Sequence, residues 1–243
     1  MSVLVLGATG ATGRLLVREL LGRGLSVRVI VRALDSLPED VRNHSHLSVV
    51  RASVLALSDA EMVQNVHGCT AVVSCLGHNL TLKGLFGPPR RLVTDATRRL
   101  CDAVQTNRKE QPVRFVLMNT VANSNRDLDE PVSVGERCVI GLLRLLLPPQ
   151  ADNEKAADYL RTTIGRENPA IEWVAVRPDT LTDEDTVTAY DLYPSPIRSG
   201  IFNPGKTSRS NVAHFMAELI TNDETWNEWK GQMPVIYNKA QSR

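Results

Sequence analysis

Short β-branched runs and helix-spaced apolar positions take turns along this chain almost from its first residue. Val3-Leu4-Val5-Leu6 predicts a strand, and Leu15, Leu16, Leu20 and Leu21 give the apolar face of a helix that Gly22-Arg23-Gly24 ends. Val27, Val29 and Val31 alternate with Arg28 and Ile30 in a second run of the kind found in inner parallel strands. Leu47-Ser48-Val49-Val50 is a third run. Behind it, Ser58-Asp59-Ala60-Glu61 spells a capping box, in which serine and glutamate satisfy each other's backbone N–H groups at a helix start. Ala71 to Cys75, Val113 to Met118 and Ile171 to Val176 read as further strands, and Val235-Ile236-Tyr237 as the strand that closes the sheet. Leu92, Ala96, Leu100 and Val104 step by four through a helix placed after Pro88-Pro89, and Val212, Phe215, Met216 and Leu219 line a late helix.

Repeated β-α-β alternation requires right-handed crossovers, so the expected fold class is α/β, a Rossmann-type doubly wound parallel sheet with helices on both faces. The 243 residues, 42% of them hydrophobic, suit one domain over 1–243. Two stretches break the alternation and are expected on the substrate side. Asn119 to Gln150 holds a polar part, then the apolar run Val139 to Leu147 and a Pro-Pro stop; a helix apolar nearly all round is expected to be buried, in a core or a subunit contact. Pro178 to Arg209, rich in Pro, Asp, Ser and Thr, reads as a substrate loop.

Composition narrows the partners. The net charge is +1 with both signs spread along the chain and no basic run with interleaved aromatics, which argues against nucleic acid and for a small-molecule substrate. Cys69, Cys75, Cys101 and Cys138 show neither paired nor metal-ligand spacing and sit among apolar neighbours, so reduced thiols in a cytoplasmic setting are expected, with no zinc site. Met1-Ser2 leads straight into the first strand without an export-signal pattern. The longest oily stretch, Cys138 to Leu147, is about half of the ~20 residues a bilayer span needs and contains Arg144. A monomer and a homodimer both remain open.

The most informative chemistry lies at Gly7-Ala8-Thr9-Gly10-Ala11-Thr12-Gly13, between the first strand and its helix. The first glycine permits the tight turn, the second lets the backbone approach a pyrophosphate, and the third lets the helix pack on the strand. Unpaired N–H groups at the helix start suit the anion, so the turn reads as a dinucleotide site. At the end of strand two an acidic residue would hold the ribose hydroxyls of NAD, but this chain has Arg32. A guanidinium contact to a 2′-phosphate contributes ~1.5 to 3 kcal/mol, roughly a 10- to 150-fold preference for NADP(H). Arg14, on the first helix turn, can reach the same phosphate, although alone it reads as a surface arginine. Asp35 comes too late to replace the missing acid and reads as a solvated loop residue. Ser53 follows strand three, where a side chain meets the adenine edge. Cys75-Leu76-Gly77 falls beside the nicotinamide ribose, and His78 reads as a loop imidazole in water in preference to a catalytic group.

With these residues in view, the chain resembles the atypical short-chain dehydrogenase/reductases, in particular the NAD(P)H-binding, NmrA-like branch that includes flavin reductase/biliverdin-IXβ reductase types. The resemblance covers nearly the whole chain. It rests on Gly7 to Gly13, Arg32, Cys75-Leu76-Gly77, Asn119-Thr120, Lys155 to Leu160, Val176-Arg177-Pro178, and Ser208 to Ala213. It implies that Lys155 holds the nicotinamide ribose, that Thr120 stands in the serine-like place, and that Arg177 and Pro178 also border the cofactor. In the larger superfamily a tyrosine four residues before the lysine donates the proton. Here that position is Ala151, and Tyr159 lies one turn in the wrong direction. The expectation is therefore an NADPH-dependent reductase of a conjugated acceptor (flavin, quinone or tetrapyrrole) that lacks the tyrosine acid. The alternative is a non-catalytic NADP(H) redox sensor of the NmrA-like type. An epimerase of nucleotide-linked sugars ranks last, since it needs the same tyrosine and a longer C-terminal domain.

Overall fold

A computed structural model describes residues 1–78, 81, 87–107, 110–128, 130 and 133–239, with the side chains of 134, 137, 138 and 145 left out of the description. Strands β1 (Ser2–Leu6), β2 (Ser26–Val31), β3 (Leu47–Arg51), β4 (Ala71–Ser74), β5 (Val113–Met118) and β6 (Ile171–Pro178) lie in parallel in the order β3-β2-β1-β4-β5-β6. Helices α1 (Ala11–Gly22), α2 (Glu39–Arg42), α3 (Asp59–Val66) and α4 (Leu92–Asn107) fall between them. After β5 come α5 (Val134–Leu146) and α6 (Pro148–Tyr159), the latter running on into a wider turn over Leu160–Ile164. Strand order reverses direction between β1 and β4, and in such sheets the ligand crevice opens at that switch, beyond the carboxyl ends of the strands.

Alternation along β1 shows why both faces are covered. Val3 and Val5 point to one side, into a core shared with Leu16, Val17 and Leu20 of α1 and with Val212, Phe215 and Met216 of α7 (Arg209–Thr221). Leu4 and Leu6 point to the other, where Met62 of α3, Leu100 and Val104 of α4 and Ala156 of α6 close the second layer. Every residue from Val3 to Leu6 is at most 1% exposed, so this strand reads as a continuous apolar run rather than an alternating one. The capping box forms in full at α3: Ser58 Oγ accepts from the Glu61 N–H at 3.2 Å, and the Glu61 carboxylate accepts from the Ser58 N–H at 2.7 Å.

The structure narrows one expectation, leaving a subunit contact as the alternative to core burial for the apolar run, and corrects another. Helix α5 begins at Val134, earlier than its apolar run, and it is not buried all round: Ile140 is covered, but Leu142 and Leu146 are 54% and 53% exposed. The helix packs against α6. Nor does the Pro-Pro pair only stop it, because Pro148 opens α6, where the fixed φ of proline suits a first turn. The correction concerns 178–209, read as a loop. It carries β7 (Thr180–Thr182), paired in parallel with β9 (Lys206–Ser208), and β8 (Tyr190–Tyr193), which pairs antiparallel with β10 (Val235–Asn238). Strand β10 lies parallel to β6, so β8 and not β10 forms that edge of the eight-stranded sheet. Helix α8 (Asp223–Trp229) precedes β10. No helix among the described residues is long and apolar enough to cross a membrane.

Candidate functional site

The glycine turn is shaped by what it cannot accommodate. Gly7 sits at φ +75°, and a Cβ there would fall 2.5 Å from the carbonyl carbon and oxygen of Cys75. Only glycine lets the ends of β1 and β4 approach so closely. A Cβ on Gly13 would lie 2.1 Å from the Gly7 carbonyl oxygen, so α1 packs directly onto the turn. Gly10 is the residue before α1, its N–H donating to the Gly7 carbonyl at 2.9 Å. No side chain caps this helix and its first turn carries no acid, so its leading N–H groups stay available to an anion.

A cleft of about 470 Å³ opens beside this turn. Gly7, Thr9 and Gly10 form its floor, Arg32 and Ser53 come from the ends of β2 and β3, and Cys75, Leu76, Gly77 and His78 follow β4. The structure thus brings together half of the cofactor residues expected from the sequence. Its opposite wall, Thr81, Pro88, Pro89 and Leu92, was missed; Pro88-Pro89 carried a signal, but only one of chain punctuation. Arg32 is exposed and its guanidinium makes no hydrogen bond or ion pair to the described residues. Asp35 is also exposed and meets Arg42 at 3.4 Å instead of entering the cleft. Burial pushes the Cys75 thiol up to about 12. Cys75 and Cys101 carry free thiols, the Cys69 thiol donates to the Asn65 carbonyl at 3.7 Å, and Cys138 lies outside the described side chains.

Other expected residues lie elsewhere. Ala11, Thr12, Gly13 and Arg14 form the first turn of α1 just behind the floor, Thr12 and Gly13 buried and Ala11 and Arg14 exposed. The Thr120 hydroxyl accepts a long bond from the Ala122 N–H, at 3.3 Å. Lys155 is exposed on α6 without a polar partner among the described residues. Pro178 is buried and its carbonyl accepts from the Val121 N–H at 3.0 Å. Arg177 is a correction: its side chain is fully enclosed and ties Glu130 (2.7 Å) to the carbonyls of Met233, Asn123 and Pro194, leaving no donor for a cofactor. Tyr159 packs in the second core layer under Arg98, whose guanidinium sits 5.3 Å from its ring centre, and burial raises its phenol to about 12.

His78 is the other correction. Its ring is not in water: the side chain is 5% exposed, and Nε2 lies 2.8 Å from the carboxylate of Asp152. That carboxylate also accepts from the N–H groups of Val93 and Thr94, at 2.8 and 3.0 Å, in the first turn of α4. Sequence separation hid the pair, since its members stand 74 positions apart in the chain.

The sheet order, the uncapped glycine turn and the cleft at the switch point together define a dinucleotide-binding Rossmann protein. The profile of a family described as NAD(P)H-binding matches residues 7–223, and the chain belongs to that family. An uncharacterized chloroplastic protein of Arabidopsis thaliana is 25% identical over 225 residues, 92% of this chain and 73% of its own. A wide-type short-chain dehydrogenase/reductase of Veillonella parvula, solved in complex with NADP, superposes over all of this chain and 96% of its own, with a TM-score of 0.71 at 15% identity. The oxidoreductase ylbE of Lactococcus lactis does so over all of this chain and 93% of its own, at 0.69 and 17%. At these identities the two structures speak for the fold alone.

Proposed function

We propose that this protein is an NADPH-dependent reductase of a conjugated, planar acceptor of the flavin, quinone or tetrapyrrole type, working without a tyrosine acid. The observation that carries the cofactor choice is Arg32, an exposed guanidinium with no partner among the described residues at the end of β2, where an NAD-selective site would hold a carboxylate. The residues present fit such a cofactor. The glycine cradle and the open N–H groups of α1 suit its pyrophosphate, Arg32 its 2′-phosphate, Ser53 its adenine edge, and Gly77 the approach of its nicotinamide ribose. When bound, NADPH supplies a hydride; this chain orients cofactor and acceptor and excludes water between them. Ala151 occupies the place of the superfamily tyrosine, so the phenol that protonates a plain ketone is missing. Thr120 and Lys155, which do not line the cleft, are assigned to its nicotinamide end by the resemblance alone.

Isothermal titration with NADP and NAD tests the cofactor, and NADPH oxidation in the presence of FMN, menadione and biliverdin tests the acceptor. Tighter NADP binding with turnover of at least one acceptor is expected; an NAD preference overturns the assignment of Arg32. Tight NADP(H) binding with no turnover replaces the reductase by a redox sensor. For Lys155→Ala, unchanged NADPH affinity and turnover would remove that residue from the site.

A further inference from the structure

The geometry points to His78, held by Asp152, as the proton donor of this site, in the role that Ala151 leaves vacant; the inference rests on the reductase reading above. His78 lines the cofactor cleft directly after Gly77, at the switch between β1 and β4. Its Nε2 is bound to a carboxylate that is itself immobile, 1% exposed and gripped by two backbone N–H groups of α4, while the Thr94 hydroxyl bonds the Asp152 carbonyl at 3.0 Å. Nδ1 has no partner among the described residues. A carboxylate that fixes one ring nitrogen sets the tautomer and leaves the other to exchange a proton with a reacting atom, as in acid–base dyads generally. Simple capping of α4 would need Asp152 but not an imidazole on the cleft side of it.

The step balances. The acceptor gains two electrons and a hydrogen as hydride from NADPH, which is oxidised to NADP. The electron pair of the acceptor's π bond moves to a ring nitrogen or oxygen. That atom forms a bond to hydrogen as the Nδ1–H bond of the His78 imidazolium breaks, and the neutral imidazole recovers a proton from water. Asp152 is a positioning residue in this scheme.

The test uses the full chain with NADPH. His78→Gln is expected to bind NADPH within about twofold of wild type and to lose about 100-fold in kcat for whichever of FMN, menadione and biliverdin the wild type reduces. Added imidazole is expected to restore turnover to His78→Gly. Unchanged kcat in His78→Gln overturns the proposal. Nitrogen-15 spectra of the histidine ring give a readout independent of activity. An Nδ1 signal that shifts on NADP addition, and a mixed tautomer in Asp152→Asn, are expected; a His78 signal that NADP leaves unmoved overturns the proposal. If the wild type binds NADPH but reduces none of the three acceptors, the reductase reading fails and these spectra alone decide His78.

Discussion

At the scale of single residues, the site depends on atoms that are absent as much as on those present. Gly13→Ala would place a methyl group 2.1 Å from the Gly7 carbonyl, a backbone atom that cannot swing aside. Overpacking of this kind costs about 1–3 kcal/mol or more, so chemical denaturation should show at least that loss together with abolished cofactor binding. Arg32 acts through charge, without packing. Arg32→Ala should weaken NADP binding roughly 10- to 150-fold by titration calorimetry and leave NAD affinity within about twofold. Cys75 yields a prediction with a definite sign. Its thiol, ordinarily near 9.0, is lifted to about 12 by burial, so it stays protonated as pH rises through the usual thiol range. Thiolate is the nucleophile, and at pH 8 its fraction is smaller by about a thousandfold than for an ordinary cysteine. Iodoacetamide labelling followed by mass spectrometry should find Cys75 unreactive at pH 8, with a rate that climbs only toward pH 12.

At the scale of elements, two buried carboxylates fasten pieces of chain that are distant in sequence. Asp152 joins α6 to the first turn of α4 and to the segment after β4. Glu130 meets Arg177 at the end of β6, and both side chains are almost wholly enclosed. Glu130→Ala would leave the guanidinium charged and uncompensated, so urea unfolding should show a loss of about 3–5 kcal/mol. Replacing the pair with apolar residues of similar size should recover most of it, because desolvation of two ions is then also removed. Most elements were legible in the sequence because each carried its own period: β5 spans Val113–Met118 as expected, and the helix marked by Leu92, Ala96, Leu100 and Val104 runs from Leu92. Strands β7, β8 and β9 were not, being only three or four residues long, with β7 and β9 largely polar. Such segments become strands when a neighbouring edge offers hydrogen bonds, and local pattern does not record that offer.

At the scale of the molecule, a ligand that binds only the folded state must raise its stability. NADP at one hundred times its Kd should add about 2.7 kcal/mol, and a thermal melt should rise by roughly 5–10 °C for a chain of this size, with a smaller rise for NAD at the same concentration. By itself the sequence determined the layered α/β architecture, the glycine turn and the basic residue beside it. These depend on residues near one another in the chain, where a turn, a helix start or a strand end is set by local sterics and charge. Only the tertiary structure decided the partners across the cleft. It set His78 against Asp152, drew Arg177 away into a buried ion pair, and left Leu142 and Leu146 uncovered on α5. Each of those outcomes turns on which side chain meets which across tens of residues, and that is fixed by packing the layers together rather than by any pattern along the strand or helix that carries them.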